Sequence, residues 1–329
     1  MIEMPRVLTG PWTRQAREWA IAREARDIFI RYFRKAMKGR NWSPWNDLPL
    51  DEMRELGGRL SEDTVTIVEG YLGVLSHVDD YVRDGLSILR GRHARRNLHL
   101  AWGTEEIKHA EACELILLHS GRRTAAELAE YHDRATARTW HMRDEHPGLD
   151  TPLGIACYAM VQERATYVNF EALRKRIRVE YGLPEQPTEF ERARGQEIGA
   201  AAACNIVADE DFAHHRVFLE LVEISLRYLP GETLETLLQV FNGFKMPALS
   251  LIPNGATLAE TLERTLLYTP LKYVREVRNP ILAALGFEHT RALERAAQGA
   301  RLLPDWLGPG EVSFSPSGEF SLAGPGAAT

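Results

Sequence analysis

A long stripe of apolar residues between Ser61 and Arg90 constrains the fold of this chain more than any other feature of its sequence. The stripe follows steps of three and four positions and comprises Val65, Val68, Leu72, Leu75, Val82, Leu86 and Leu89. This period places the side chains on one face of an α-helix, which must bury that face against neighbouring helices. One position of the stripe carries a carboxylate, Asp79.

The same period predicts helices along most of the chain. A basic turn near Arg92 joins the first long helix to a second one at about 96–120, so that the two form an antiparallel hairpin. Other helices are predicted at Thr13–Met37, Pro152–Glu180, Glu189–Tyr228, Glu235–Phe244, Leu258–Tyr268 and Pro280–Ala300. No strand repeat or βαβ alternation is visible. The sequence predicts an all-α protein with one helical domain at 1–303 and a Gly-, Pro- and Ser-rich tail at 304–329, mobile or draped over the surface.

Composition narrows the class of protein. The 329 residues are 44% hydrophobic and 26% charged, as in ordinary globular proteins, and the formal net charge of −6 argues against a nucleic-acid binder. No apolar run approaches the roughly 20 residues that span a membrane, and the first residues do not read as a signal peptide, so we expect a cytoplasmic protein. The three cysteines are far apart, which indicates neither a disulfide framework nor a zinc knuckle.

Two predicted helices each carry a carboxylate three residues before a histidine. Glu106 precedes His109 within WGTEEIKHAE, and Asp211 precedes His214 within ADEDFAHHRV. This spacing places both side chains on one helix face, as metal ligands require. A third helix contributes Glu163 within VQERATY, where an interior carboxylate needs a partner or a metal. Ferritin-like bundles build two-metal sites in this way, so the sequence predicts a ferritin-like four-helix core with flanking helices.

The fourth ligand helix is identified by hairpin geometry. In an antiparallel hairpin, residues equally far from the turn lie opposite each other. Glu106 and His109 are as far after Arg92 as Val78 and Leu75 are before it, so the opposing ligand should lie at Leu75 to Val78, with a tolerance of about one turn. Asp79 lies on the apolar stripe within that tolerance and is the predicted ligand. The alternative interpretation is that Asp79 caps a helix or pairs with an arginine.

Several segments resemble the soluble acyl-carrier-protein desaturases. NWSPWNDLP is similar to the family's Asn-Trp-x-Pro loop, and we expect an ordered loop there. WGTEEIKHAE, VQERATY, ADEDFAHH and FKMPA are similar, in the same order, to its W-x-x-E-E-x-x-H, Q-E-R-A-T, A-D-E-x-x-H and K-x-x-M-P motifs. The resemblance covers about residues 41–247.

The resemblance implies an oxidoreductase that desaturates or hydroxylates an acyl chain on acyl-carrier protein. It implies a homodimer, two iron ions, dioxygen, and electrons from ferredoxin or a similar external reductant. Manganese also suits carboxylate and imidazole ligands. The sequence departs from the family pattern at two ligands. Leu75 or Ser76 stands where the family has a Glu, and Asp211 replaces the Glu of the last motif, with Glu210, four residues before His214, as the alternative.

Other interpretations remain open at this stage. Ferritin-like bundles with similar ligands also oxygenate amines at nitrogen, and the missing Glu is compatible with a metal-poor structural partner of an active subunit. Thr166 either transfers protons near the site, as the resemblance implies, or packs in the core with its hydroxyl hydrogen-bonded back to its own helix. The arginines Arg90, Arg92, Arg95, Arg96, Arg122 and Arg123 either dock the acidic carrier protein or are solvated helix ends.

Overall fold

The computed structural model describes residues 12–189, 197–303, 307–309 and 311–322. These residues form an all-α protein with a single small hairpin of strands near the carboxyl end. The helices are α1 (Arg14–Gly39), α2 (Pro44–Asp47), α3 (Leu50–Leu56), α4 (Glu62–Leu75), α5 (Val78–Ile88), α6 (His93–His119), α7 (Ala125–Ala135), α8 (Met142–Glu145), α9 (Pro152–Glu180), α10 (Gly199–Tyr228), α11 (Pro230–Gly243), α12 (Gly255–Arg264), α13 (Pro270–Lys272), α14 (Asn279–Ala284) and α15 (Thr290–Ala300). The strands are β1 (Val312–Phe314) and β2 (Phe320–Leu322), paired antiparallel.

Side-chain caps fix where several helices begin. Thr13, Ser61 and Thr151 each accept a hydrogen bond from a first-turn amide of α1, α4 and α9, respectively. Thr124 and Glu127 form a reciprocal capping box at the start of α7. Pro152 follows the cap residue Thr151 at the first helical position, where the backbone N–H has no partner within the helix. A proline, which lacks this N–H, therefore fits there, and α9 begins where the sequence predicts it.

The predicted single helix from Ser61 to Arg90 is interrupted, which corrects the sequence prediction. α4 ends at Leu75 and α5 begins at Val78. The hydroxyl of Ser76 donates to the carbonyl of Leu72 at 2.7 Å, and His77 leaves the helical conformation at φ −92° and ψ 14°. After this break, the buried residues of α5 are Asp80, Tyr81 and Gly85, whereas Val82 and Leu86 of the predicted stripe are only partly buried.

The long helices pack side by side around a polar layer. α9 packs along α10, while α6 contacts α1, α4, α5 and α10. Two buried apolar clusters fill the interior, one including Trp102, Val161 and Phe218 and the other including Cys113 and Val207. On α6, α9 and α10, the residues between these clusters are the predicted ligands. The carboxylates and histidines therefore form a buried band between two apolar layers.

Other elements differ from the sequence predictions. The helix α7 lies between the second and third predicted long helices, where no helix was predicted. The short helix α2 lies in the segment after Asn41 that was expected to be an ordered loop, and α3 begins at Leu50, where that segment ends. The last predicted helix is divided into α14 and α15. Residues 190–196, at the predicted start of the fourth long helix, lie outside the described residues, and the helix is described from Gly199.

The carboxyl-terminal tail is only partly described. β1 and β2 lie within it, and Phe320 of β2 packs close to Gly299 of α15. Residues 304–306, 310 and 323–329 lie outside the described residues. Among the described helices, none combines the length and apolar character needed to cross a membrane.

Candidate metal centre

Four of the predicted ligands converge in the buried band. Glu106 on α6, Glu163 on α9, and Asp211 and His214 on α10 each offer a ligand atom, and these atoms lie within 4.8 Å of one another. All four side chains are almost completely buried. We call these four residues together with His109 the carboxylate cluster. Three helices distant in sequence therefore supply one compact set of oxygen and nitrogen donors.

His109 completes the cluster on the side of α6. Its Nδ1 atom lies 3.5 Å from Oε2 of Glu106 and 3.3 Å from Oδ1 of Asp211. The Nδ1 atom of His214 lies 3.1 Å from Oε1 of Glu106 and 3.2 Å from Oε2 of Glu163. The two imidazole rings are 5.7 Å apart between centroids. Each histidine thus turns its Nδ1 atom toward the shared carboxylates.

On its opposite side, each imidazole is hydrogen-bonded to one further carboxylate. Nε2 of His214 lies 2.8 Å from Oε2 of Glu105, and Nε2 of His109 lies 3.0 Å from Oε2 of Glu210. A carboxylate acceptor requires the proton on Nε2, which leaves Nδ1 available to bind a metal ion. Glu105 was not predicted as a site residue, and Glu210 was only the alternative to Asp211 at the last motif. The sequence carries a signal for both, because each residue directly precedes a predicted ligand carboxylate on its helix.

The outer carboxylates have their own partners. The hydroxyl of Tyr32 donates to Glu105, and Nζ of Lys108 lies 2.5 Å from Oε1 of Glu210. Within the cluster, the indole Nε1 of Trp102 donates to Oε1 of Glu163 at 2.9 Å. These contacts fix carboxylate orientation before any ligand binds.

Proximity within the cluster shifts the pKa values of its members. Burial acts to raise the pKa of Glu106, but the imidazoles of His109 and His214 outweigh it and lower this pKa to about 2. Burial opposes the charge of His109, yet Glu106 and Asp211 raise its pKa to about 10. Burial and the charge of Glu106 raise the pKa of Glu163 to about 7, and burial raises that of Asp211 well above its usual range. Without a metal ion, the cluster holds several protons at neutral pH.

Unpartnered atoms show that the donor set fits a metal ion. Within the described part of the chain, Oε1 of Glu106, Nδ1 of His109 and Oδ2 of Asp211 are buried and have no hydrogen-bond partner of good geometry. Buried polar atoms are rarely left in this state. All three belong to the cluster and are of the oxygen and imidazole types that bind iron, manganese or zinc. The residues can hold a metal ion, and the structure does not identify which one.

Asp79 does not belong to the cluster, contrary to the prediction that it is the fourth-helix ligand. Its side chain is exposed on α5. The prediction assumed one continuous helix, and the break at Ser76 and His77 changes which residues face inward. The neighbouring Asp80 is the inward carboxylate, and its Oδ2 atom lies 3.0 Å from Nδ1 of His77.

A large cavity opens next to the cluster. It has a volume of 870 Å³ and includes Glu106 in its wall. Val74 and Leu75 of α4 line it at the end where a fourth ligand was expected, so the described wall of α4 there is apolar. Most of the wall is apolar or aromatic, and its other such residues include Tyr71, Tyr81, Phe170, Phe244, Met246, Leu249, Leu258, Leu262 and Tyr273. Polar residues also line the cavity, among them Glu145, Gln162, Asn169, Lys245 and Glu263. This volume is within the range of roughly 300–1,000 Å³ that is typical of small-molecule sites.

Thr166 lines this cavity one turn after Glu163. Its hydroxyl donates back to the helix, with Oγ1 lying 3.2 Å from the carbonyl oxygen of Gln162 and 3.1 Å from that of Glu163. The back-bonded arrangement agrees with the packing interpretation of this threonine. The three cysteines, Cys113, Cys157 and Cys204, are buried free thiols outside the cluster.

Comparisons with known proteins do not identify the chain. No protein-family model matches it, and a comparison with curated proteins found no significantly similar sequence. The structure defines the class of this protein. Its described residues form an all-α protein with a buried group of Glu, Asp and His side chains that could hold a metal ion.

Proposed function

We propose that this chain is a ferritin-like, two-metal oxidoreductase that uses dioxygen to oxidise an acyl chain carried on acyl-carrier protein. The observation that carries the proposal is the meeting of two features at Glu106. One carboxylate belongs both to the buried cluster and to the wall of the 870 Å³ apolar cavity. A long apolar substrate in this cavity lies against the oxidising centre.

The cluster provides one histidine for each of two metal ions. His109 and His214 would hold metal through their Nδ1 atoms, and Glu106, Glu163 and Asp211 would supply the carboxylate ligands. Two iron ions bound here would supply electrons to activate dioxygen, a chemistry that amino-acid side chains do not provide. Glu105 and Glu210 hold the imidazoles in the tautomer that this binding requires.

The proposed reaction balances with an external reductant. In desaturation, dioxygen accepts two hydrogens from adjacent carbons of the chain and two electrons with two protons from a ferredoxin-type donor, which yields an alkene and two waters. In hydroxylation, one oxygen enters a C–H bond and the other becomes water, with the same two electrons and two protons.

The segments quoted from the sequence support the acyl substrate and the carrier protein. They are similar in order and spacing to those of acyl-carrier-protein desaturases, from which the homodimer and ferredoxin-type donor are also inferred.

A second candidate function is a metal-poor partner protein. Leu75 favours it, because this apolar residue lines the cavity at one of the two positions where the resembled family has a Glu. A site with fewer carboxylates binds divalent ions less tightly.

Metal analysis separates the two candidates. The protein, purified after expression with added iron, should contain about two irons per chain. With ferredoxin, its reductase and dioxygen present, it should desaturate or hydroxylate the acyl chain of an acylated carrier protein. Asp211→Asn should lose metal, whereas Asp79→Asn, the same chemical change at an exposed position, should not. Near-zero metal in the unsubstituted protein would refute the enzyme proposal. About two irons per chain without oxidation of the acyl chain would refute the proposed substrate.

A further inference from the structure

A polar pocket lies at the turn between α5 and α6, away from the metal centre. Two adjoining cavities, of 930 and 420 Å³, share the residues Arg14, Glu18, Arg92 and Arg95, which we call the arginine pocket. Arg95 precedes Glu106 by eleven positions on α6, which corresponds to about 16 Å along the helix. The pocket is therefore distinct from the carboxylate cluster and its cavity.

Arg95 is the buried cation of this pocket. Its side chain is only 9% exposed. Among the described residues, neither its Nε nor its Nη2 atom has a hydrogen-bond partner. The Oε2 atom of Glu18 lies 3.6 Å from Nη2, which is too far for a good hydrogen bond. A buried guanidinium with unused donors is costly unless an anion completes it.

The single carboxylate of Glu18 is shared among three arginines. Its Oε2 atom lies 3.8 Å from Nη2 of Arg92, and its Oε1 atom lies 3.4 Å from Nη2 of Arg14. Nε of Arg92 is also buried without a partner in the described chain. Of the other acidic residues in the wall, Glu232 pairs with Arg14 of the pocket and Glu235 pairs with Arg301 outside it. Glu18 and Glu232 are therefore the two carboxylates that face the three arginines Arg14, Arg92 and Arg95. The pocket therefore has more positive than negative charge.

The amino terminus of α6 adds further donors. Arg92 is the residue that precedes the first turn of α6, and its side chain does not cap the helix. The first turn contains no acidic residue. Its leading amides and the positive end of the helix dipole therefore favour an anion beside Arg92 and Arg95.

We propose that the arginine pocket binds a phosphoryl group, carried by inorganic phosphate or by a small phosphate monoester. A tetrahedral dianion matches the combination of guanidinium forks and helix amides, because each offers several N–H donors in a fixed direction. The apolar residues Ile21, Leu153 and Leu229 in the 420 Å³ cavity provide a surface for the organic part of an ester. Because Arg95 is buried, a small ligand fits it better than the flat acidic surface of a protein.

The test is calorimetric titration of the full chain with inorganic phosphate and, separately, with AMP as a phosphate monoester. Ionic strength is held constant with chloride. The variants are Arg95→Met and Arg92→Met, and the matched control is Arg96→Met, which removes the same charge from the exposed next position of α6. Circular dichroism establishes that each variant is folded.

The proposal expects saturable binding of at least one probe to the unsubstituted protein and to Arg96→Met. Binding should weaken by at least about tenfold in Arg95→Met and Arg92→Met. If Arg95→Met does not fold, the half-exposed Arg92→Met decides the question. Tighter binding of AMP than of phosphate identifies an ester as the ligand, and equal binding identifies the free anion. Absence of saturable binding, or equal binding in the Arg92 and Arg96 variants, overturns the proposal.

Discussion

The Nε2 atom of His214 lies 2.8 Å from Oε2 of Glu105, the residue directly before the candidate ligand Glu106. One helix, α6, therefore supplies both a candidate ligand and the group that orients the histidine of another helix. Such outer carboxylates fix the ring and increase its strength as a ligand.

Replacing Glu105 tests this orienting role. Glu105→Gln should weaken metal binding by about 10- to 100-fold, because the amide removes the negative charge beside Nε2 of His214. The matched control is Tyr32→Phe, which removes the hydroxyl that donates to Glu105 but keeps its carboxylate. Competition with a chelator measures both affinities. Equal affinity in Glu105→Gln and the unsubstituted protein would contradict the role assigned to Glu105.

Metal binding should release protons and strengthen as pH rises. The carboxylates around His109 raise its pKa to about 10, and Tyr32 and Glu105 contribute to raising that of His214 against the effect of burial. Both imidazoles therefore carry an extra proton at neutral pH, and a metal ion must displace it. Titration with Mn²⁺ at pH 6, 7 and 8 should show increasing affinity, with calorimetry in different buffers detecting the released protons. A pH-independent affinity would show that the histidines are not ligands.

The metal-free protein should lose stability as pH rises. The folded-state pKa of about 10 for His109 exceeds its usual value of 6.5, so its contribution is complete below about pH 6.5 and disappears through pH 10. Glu163, with its pKa raised to about 7, acts in the same direction from about pH 4.5 upward. Urea unfolding at pH 6 and pH 9 measures the difference, and His109→Gln should reduce it. Greater stability at pH 9 would be the opposite of this expectation.

If the 870 Å³ cavity holds the proposed acyl chain, Gln162 should limit its length. Gln162 and Tyr81 line both this cavity and a small cavity of 40 Å³. Gln162→Ala should join the two and shift the preferred acyl chain toward greater length. Asn169→Ala, which removes an amide from the same helix but lines only the larger cavity, is the matched control. Product analysis over a series of acyl chain lengths gives the result, and an unchanged preference would show that Gln162 does not limit the chain.

Much of this architecture was predictable because it depends on local chemistry. The three-residue spacing of Glu106 and His109 fixes a shared helix face, and the proline after Thr151 fixes a helix start. The gathering of Glu106, Glu163, Asp211 and His214 was also expected, because an isolated carboxylate is costly in an apolar layer.

The sequence by itself determined the all-α class, the long helices and the ligand-type residues on their inner faces, since each follows from periodicity within one helix. Only the tertiary structure decided that Asp79 lies outside the cluster. The helix breaks at His77, and the residues of α5 that are buried after the break do not follow the apolar period of the sequence. The tertiary structure also decided that Glu105 is hydrogen-bonded to His214, a contact between residues 109 positions apart. Such contacts depend on how helices pack against one another, which no local pattern specifies.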